Sequence, residues 1–177
     1  MCGECCRRYM IAVTPADVHR ITGLTGMSPE EFLTLIEPDD SVIRTYKDSP
    51  KIRFKDRNNF VLVLPERNDG CMFLNNNSCS IYRSRPSVCR PFPFEYSIEK
   101  RGKVVFDVNE EARSFCKGLG SGSRSFDFAE LERSVLERES QRRAFVKRVK
   151  EWNTKGISGA GAKPTMSDLL KFLLLDN

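Results

Sequence analysis

Seven cysteines are the residues of this 177-residue chain best suited to chemistry: Cys2, Cys5, Cys6, Cys71, Cys79, Cys89 and Cys116. An odd number cannot pair completely into internal disulfides. The N-terminal run Met1-Cys2-Gly3-Glu4-Cys5-Cys6-Arg7-Arg8 also lacks the apolar stretch of a secretory signal. In a reducing cytoplasm, the compartment this predicts, clustered thiols act as metal ligands or redox groups before they act as disulfides. Such sites need sulfurs that converge within about 2.3 Å of one ion, or around one cluster. The two-residue gap from Cys2 to Cys5 lets a tight turn aim two sulfurs at one point. Cys6 adjoins Cys5, and neighbouring side chains usually diverge. The pair is therefore expected to serve two centres, or one ligand and one nearby thiol. Cys71, Cys79 and Cys89 suit a long loop folding back at Asn75-Asn76-Asn77, and Cys116 is expected to return to the same place.

With His19 as the one histidine, a mixed Cys/His zinc pattern has almost nothing to draw on. Zinc and iron–sulfur clusters both accept all-thiolate ligands, and the adjacent cysteines lean to iron–sulfur. Four thiolates on Zn²⁺, or on an oxidised four-iron cluster, leave about two negative charges to offset. Arg7, Arg8, Arg83, Arg85 and Arg90 flank the cysteines. Arg85-Pro86 and Arg90-Pro91 sit in a rigid frame, so Arg85 and Arg90 are the candidates for fixed hydrogen bonds and for holding a bound group. A role as buried small hydrophobes fits poorly with clustering in glycine-, proline- and arginine-rich loops.

Short elements must position these groups. Thr14-Pro15-Ala16-Asp17 and Ser28-Pro29-Glu30-Glu31 read as capped helix starts. The first helix is expected to end at Gly23 and the second before Pro38. Val18, Ile21 and Leu24 would share one buried face, and Phe32, Leu35 and Ile36 another. Residues 51–55 and 60–64 read as a hairpin whose turn spans 56–59. The stretch from Gly70 to Pro93 is expected to be irregular. A second hairpin, 94–99 with 103–108, turns at Arg101-Gly102. A Gly/Ser stretch runs to Ser125. A helix from Asp127 to about Trp152 is capped by Asp127, with Glu130 completing the box. Arg138 and Arg142 interrupt its apolar stripe, so its middle is expected over the surface. Gly156 to Lys163 reads as a linker and Thr165 to Leu175 as a last helix. The fold class is α+β: a small irregular domain organised around a cysteine cluster (1–124), a long helix packed on or beside it (125–155), and a linker with a short C-terminal helix (156–177).

Composition narrows the function. At 40% hydrophobic and 10% aromatic the chain can build a core, and no apolar run approaches the roughly 20 residues of a membrane helix. A net charge of +5 argues weakly for nucleic acid, because glutamates interleave with the basic residues of the long helix. His19 is expected on the surface, Tyr82 over the site and Trp152 as a core anchor. Glu95 and Tyr96, close after the cysteine frame, are secondary candidates for proton transfer.

Cys2-Gly3-Glu4-Cys5-Cys6, Cys71-Met72-Phe73-Leu74 and the run from Cys79 to Pro93, with Arg85-Pro86 and Cys89-Arg90-Pro91-Phe92-Pro93, together resemble the cysteine-cluster family of zinc- or iron-chelating domains. That family is related to flagellin lysine-N-methylases. Both helix starts and Cys116-Lys117-Gly118-Leu119-Gly120 share the resemblance, which spans roughly residues 2 to 122. The family begins C-x-x-C-x-x-C-C; Cys2, Cys5 and Cys6 match its last three, and the first would fall before Met1. With an eighth cysteine two four-thiolate sites would be possible. With seven, one complete site and a partial or open one is the simpler count. The resemblance implies a metal-binding protein with an iron–sulfur or zinc centre, redox or accessory in role, whose partners are the metal and a protein substrate or partner. One alternative it implies is a lysine-methylase-like enzyme using S-adenosylmethionine. Gly118-Leu119-Gly120-Ser121-Gly122 follows a cysteine rather than a strand, however, and reads as a turn beside the metal. A zinc-organised nucleic-acid or protein-binding module is the remaining alternative.

Overall fold

Phe60-Val61-Leu62-Val63-Leu64 is the most continuously apolar strand sequence in the chain, and it forms the centre of the only sheet with more than two strands among the described residues. The computed structural model describes residues 2–38, 48–54, 58–67, 70–120, 126–156 and 164–174. Strand β4 (Asn59–Leu64) pairs antiparallel with β1 (Ile11–Ala12) on one side and β2 (Thr34–Ile36) on the other, while β3 (Ile52–Arg53) pairs with its start. The registers are Ile11 opposite Leu64, Leu35 opposite Leu62 and Ile52 opposite Phe60. Successive side chains of β4 alternate between two buried layers. Leu62 and Leu64 enter the main core, and Val61 and Val63 face a smaller cluster with Met10, Ala12 and Ile36. The expected first hairpin is thus present, and its turn residues 55–57 lie outside the described residues.

Helix α1 (Glu4–Arg8) carries Cys5 and Cys6, and α2 (Pro15–Thr25) carries the expected capping box between Thr14 and Asp17. α2 does not stop at Gly23. A glycine inside a helix costs only about 1 kcal/mol, and the turn is made instead by Gly26, whose φ of 70° suits a left-handed cap. Val18 and Ile21 are buried as expected, but Leu24 is 50% exposed. The second helix is shorter than expected. α3 (Pro29–Phe32) is a single turn, Leu33 is extended, and Leu35 and Ile36 belong to β2. The open edge of β4 offers Thr34 to Ile36 a hydrogen-bonding partner, and that pairing overrides the helical spacing.

Between Gly70 and Pro93 no helix or strand runs through. Two-residue ladders, β5 (Glu66–Arg67) with β6 (Gly70–Cys71) and β7 (Leu74–Asn75) with β8 (Ser78–Cys79), are followed by 3₁₀ turns at Tyr82–Ser84 and Ser87–Cys89. The second hairpin forms as expected from β9 (Phe94–Ile98) and β10 (Val104–Val108), with Arg101 and Gly102 at positive φ in the turn. Helix α4 (Glu110–Phe115) leads into Cys116. Helix α5 (Phe128–Glu151) begins at Asp127, whose carboxylate accepts from the Glu130 N–H, and it ends in a π turn, Trp152–Gly156. Helix α6 (Met166–Leu174) buries Leu169, Leu170 and Leu173 in the main core beside Phe145, Val149 and Trp152. Trp152 donates to the Arg53 carbonyl at 2.9 Å, so it anchors the end of α5 as expected. Phe128 does not enter the core stripe. It packs with Phe94, Phe106 and Phe126 over the second hairpin. The Gly/Ser stretch at 121–125, linker residues 157–163 and Leu175 lie outside the described residues. The architecture is α+β.

Two local constraints hold the cysteine loop in place. The first is Asp17, fully buried. Its carboxylate accepts from the Thr14 N–H at 2.8 Å and hydroxyl at 2.9 Å, pairs with Arg20, and reaches across the chain to accept the Ser87 N–H at 2.7 Å and hydroxyl at 3.2 Å. One carboxylate therefore caps α2 and pins the turn that ends in Cys89. The second is Gly70. A Cβ there would stand 2.5 Å from the Cys6 carbonyl oxygen and 3.0 Å from the Arg7 Cα, so β6 meets α1 backbone to backbone.

Asp17→Ala leaves a buried N–H without its acceptor and Arg20 without its counter-charge. It should cost about 3–5 kcal/mol in urea unfolding, and Asp17→Asn, which keeps an acceptor oxygen, should cost less. Gly70→Ala should destabilise by about 1–3 kcal/mol, because only backbone can give way. Gly23→Ala, with nothing within 4 Å of the added methyl, should instead stabilise by about 0.5–1 kcal/mol.

Candidate metal centre

All seven cysteines line one cavity of about 1110 Å³. They arrive from separate stretches: Cys2, Cys5 and Cys6 from the N-terminal turn and α1, Cys71 from β6, Cys79 from β8, Cys89 from a 3₁₀ turn, and Cys116 from the end of α4. Gly3, at φ 70°, begins the N-terminal turn, where a Cβ would lie 2.7 Å from Leu74 Cδ1. Arg7 donates to the Asn77 side chain and to the Cys2 carbonyl, which ties α1 to the turn between β7 and β8. All seven thiols are free.

Charge links five of the thiols, with Cys5 acting on each of the other four. Cys71 is pushed up to about 11, first by burial and then by Cys79, Cys5 and Glu66, against the Phe73 N–H. Burial raises Cys79, with the Ile81 N–H and the Arg85 charge opposing. Cys89 is raised well above the ordinary thiol value by burial, then by Cys71, Cys5, Asp17 and Cys79. Cys5 and Cys6 do not diverge as expected. The Cys6 thiol is hydrogen-bonded to the Cys5 sulfur, which lowers Cys5 to about 7 against its own burial and pushes Cys6 up. Backbone N–H groups at the start of α1 and the Arg85 guanidinium also favour the Cys5 thiolate.

Among the described residues no three His, Cys, Asp or Glu side chains meet in metal-holding geometry; the sulfurs ring a cavity rather than a point. The donor set nonetheless fits a thiophilic centre. It is all sulfur, and each buried thiolate raises its neighbours' affinity for protons, a charge conflict that a bound cation removes.

The two arginines singled out by sequence face inward onto backbone. Arg85 donates to the Arg90 carbonyl at 3.1 Å, and Arg90 returns the bond to the Arg85 carbonyl at 3.5 Å, closing the loop around Cys89. The Arg85 guanidinium also lies 4.2 Å from the centre of the Tyr82 ring. Tyr82 is 44% exposed, so it covers Arg85 from outside. His19 is exposed.

Several wall residues were not singled out as site residues. Tyr9 donates to Glu111 at 2.8 Å and packs against Phe92 and Phe115, which stack on each other; burial and then the Glu111 bond push its hydroxyl up to about 12. This aromatic wall carries α4 and Cys116 to the cavity. The middle of α5 does not lie over open surface, because Arg138, Arg142 and Phe145 form another wall. Glu139 accepts from Arg142 at 2.9 Å and Arg138 at 3.1 Å, and Tyr96 donates to it at 2.9 Å. Tyr96 therefore docks the second hairpin on α5. Exposed Glu95 is at the cavity lining. The interruption of the apolar stripe at 138 and 142 was the available signal for this wall.

Among the described residues no helix is long and apolar enough to cross a membrane. The chain is 29% identical over 137 residues to the uncharacterized protein MJ0661 of Methanocaldococcus jannaschii, covering 73% of this chain and 64% of that protein. No solved structure matches. A family model described as "Putative zinc- or iron-chelating domain" matches residues 1–117, the segment that holds all seven cysteines and ends one residue past Cys116. The chain therefore belongs to this CxxCxxCC family of zinc- or iron-chelating domains.

Proposed function

We propose that the chain is a cytoplasmic metalloprotein whose cysteine cavity carries an iron–sulfur or zinc thiolate centre, in a redox or accessory role. The observation that carries this reading is that seven cysteines, drawn from five separate stretches of the sequence, line one cavity. Cys5, Cys71, Cys79 and Cys89 form the inner set, because the charge of Cys5 reaches the other three and Cys89 also senses Cys71 and Cys79. Cys6 supports Cys5, and Cys2 and Cys116 supply the further sulfurs. The metal-binding domain is assigned to residues 1–124, with helix α5 (Phe128–Glu151) as a wall of its cavity and α6 (Met166–Leu174) as the last helix.

When bound, the centre would supply either a structural, Lewis-acidic zinc or an electron-carrying cluster. The chain's own residues prepare for it. The start of α1 and Arg85 favour thiolate at Cys5, and Arg85 and Arg90 hold the Cys89 loop by its carbonyls. Tyr9, Phe92 and Phe115 exclude water on the Cys116 side. The Gly70 contact keeps Cys6 and Cys71 on neighbouring backbones. Metal–sulfur bonds would add cohesion to a loop that otherwise rests on two-residue ladders.

Protein purified anaerobically should contain stoichiometric zinc or iron by elemental analysis, and an absorption spectrum separates the two. Cys71→Ser and Cys89→Ser should each lose most of the metal, and Arg85→Lys should lower loading because it keeps charge but not the planar fork. Finding no metal in the parent, or as much metal in both serine variants as in the parent, would sink the reading. Stripping the metal with a chelator should lower the melting temperature by about 5–10 °C and expose the 70–93 loop to protease first.

A further inference from the structure

The cavity is larger than a metal centre needs. At about 1110 Å³ it exceeds the roughly 300–1,000 Å³ of small-molecule pockets. A single ion, or a compact cluster held by the cysteines, fills part of it. Part of its lining, Arg138, Arg142 and Phe145, comes from α5, which follows the family-matched residues. The floor there is aromatic, with buried Phe145 one helical turn beyond Arg142.

Charge is distributed unevenly over this cavity. The acids Asp48, Glu95, Glu110 and Glu111 and the base Lys117 on its lining are exposed, and half-buried Glu4 is paired with Arg7 and Arg8 on α1, whereas Arg85, Arg138 and Arg142 are half-buried. Arg85 is committed to the Arg90 carbonyl and to the thiols. Arg138 and Arg142 share one carboxylate, Glu139, and so leave one net positive charge on this wall. Arg142 meets Glu139 through Nε, which leaves the other edge of its guanidinium for a second partner. Their side chains are only 21% and 33% exposed, so this charge is partly desolvated and strengthened toward an anion. One net charge, a planar fork and an aromatic floor suit a monoanionic carboxylate on an organic body better than a phosphate dianion.

We propose that the part of the cavity between the cysteines and α5 binds a small carboxylate-bearing organic molecule, its carboxylate held by Arg142 with Arg138 beside it. The inference rests on the metal reading for the far side of the cavity, and it gives α5 a ligand-selecting role beside that centre.

The test is calorimetric titration of the full chain, as purified and after chelation, with 3-phenylpropionate and hexanoate and with their neutral amides. At least one acid should bind with its amide weaker by about tenfold or more, the usual size of a lost charge-assisted contact. Arg142→Gln should erase that preference while keeping the parent's metal content, and Arg142→Lys, the milder replacement, should retain part of it. The proposal is overturned if neither acid binds, if amides bind as well as acids, or if both Arg142 variants bind like the parent. It is also overturned if Arg142→Gln loses its metal, because the arginines then serve the centre's charge. Elemental analysis of the parent judges the metal reading separately: a metal-free parent that still selects acid over amide through Arg142 ends that reading and leaves the carboxylate site.

Discussion

The buried carboxylate of Asp17 is the interaction on which the cysteine arrangement depends. Loops rich in cysteine have little apolar surface to bury, so they need another reason to hold one conformation. Asp17 supplies it by spending one oxygen pair on two tasks, the first turn of α2 and the Ser87 turn before Cys89. Because α2 also inserts Val18 and Ile21 into the main core, the position of Cys89 is coupled to hydrophobic burial some distance from the sulfurs. A buried carboxylate is costly unless every acceptor site is used, and here two N–H groups, two hydroxyls and a guanidinium use them. That requirement makes the contact specific: no other packing of the Ser87 turn would satisfy the same groups.

A second constraint is electrostatic. Thiols gathered in one cavity oppose each other's ionisation, and the structure answers asymmetrically. Cys5, at the start of α1 and near Arg85, holds the negative charge most easily, while its hydrogen-bond partner Cys6 keeps its proton. Cys71, Cys79 and Cys89, less well supplied with donors, are held toward the neutral form by burial. The arrangement is therefore poised rather than relaxed: Cys5 takes up charge most readily, the other coupled thiols are held toward the neutral form, and a cation in the cavity would remove the conflict.

Local signals were strongly legible in the sequence. The Thr14–Asp17 box, the Asp127 cap, the turn at Arg101-Gly102 and the apolar run of β4 all act through neighbours in the chain, and all appear as read. That the cysteines would share one region was legible too, and they line one cavity, but among the described residues they do not meet in metal-holding geometry. What failed was decided by partners distant in sequence. Leu35 and Ile36 fit a helix until the edge of β4 is available to them. Leu24 keeps its helical phase but stays half exposed. Asp17 reads as an ordinary first-turn acid, because nothing nearby reveals Ser87 seventy residues on. Gly70 reads as loop punctuation, since a close backbone approach leaves no trace in one sequence.

The misreading of α5 has the widest consequence. Charged residues inside an apolar stripe imply a solvent-facing turn when a helix lies against a filled core. That inference fails when the helix spans a cavity, because a polar residue then faces space inside the protein. Val135 on one side of the charged segment and Phe145, Val149 and Trp152 on the other anchor the helix in buried packing. Arg138, Glu139 and Arg142 between them are suspended over the opening and cross-braced by Tyr96 from the second hairpin. An interrupted stripe with anchors on both sides is thus the pattern of a helix roofing a site. In this chain the roof comes from residues beyond the matched cysteine domain, so the cavity's chemistry is shared between a domain that supplies sulfur and a helix that supplies charge.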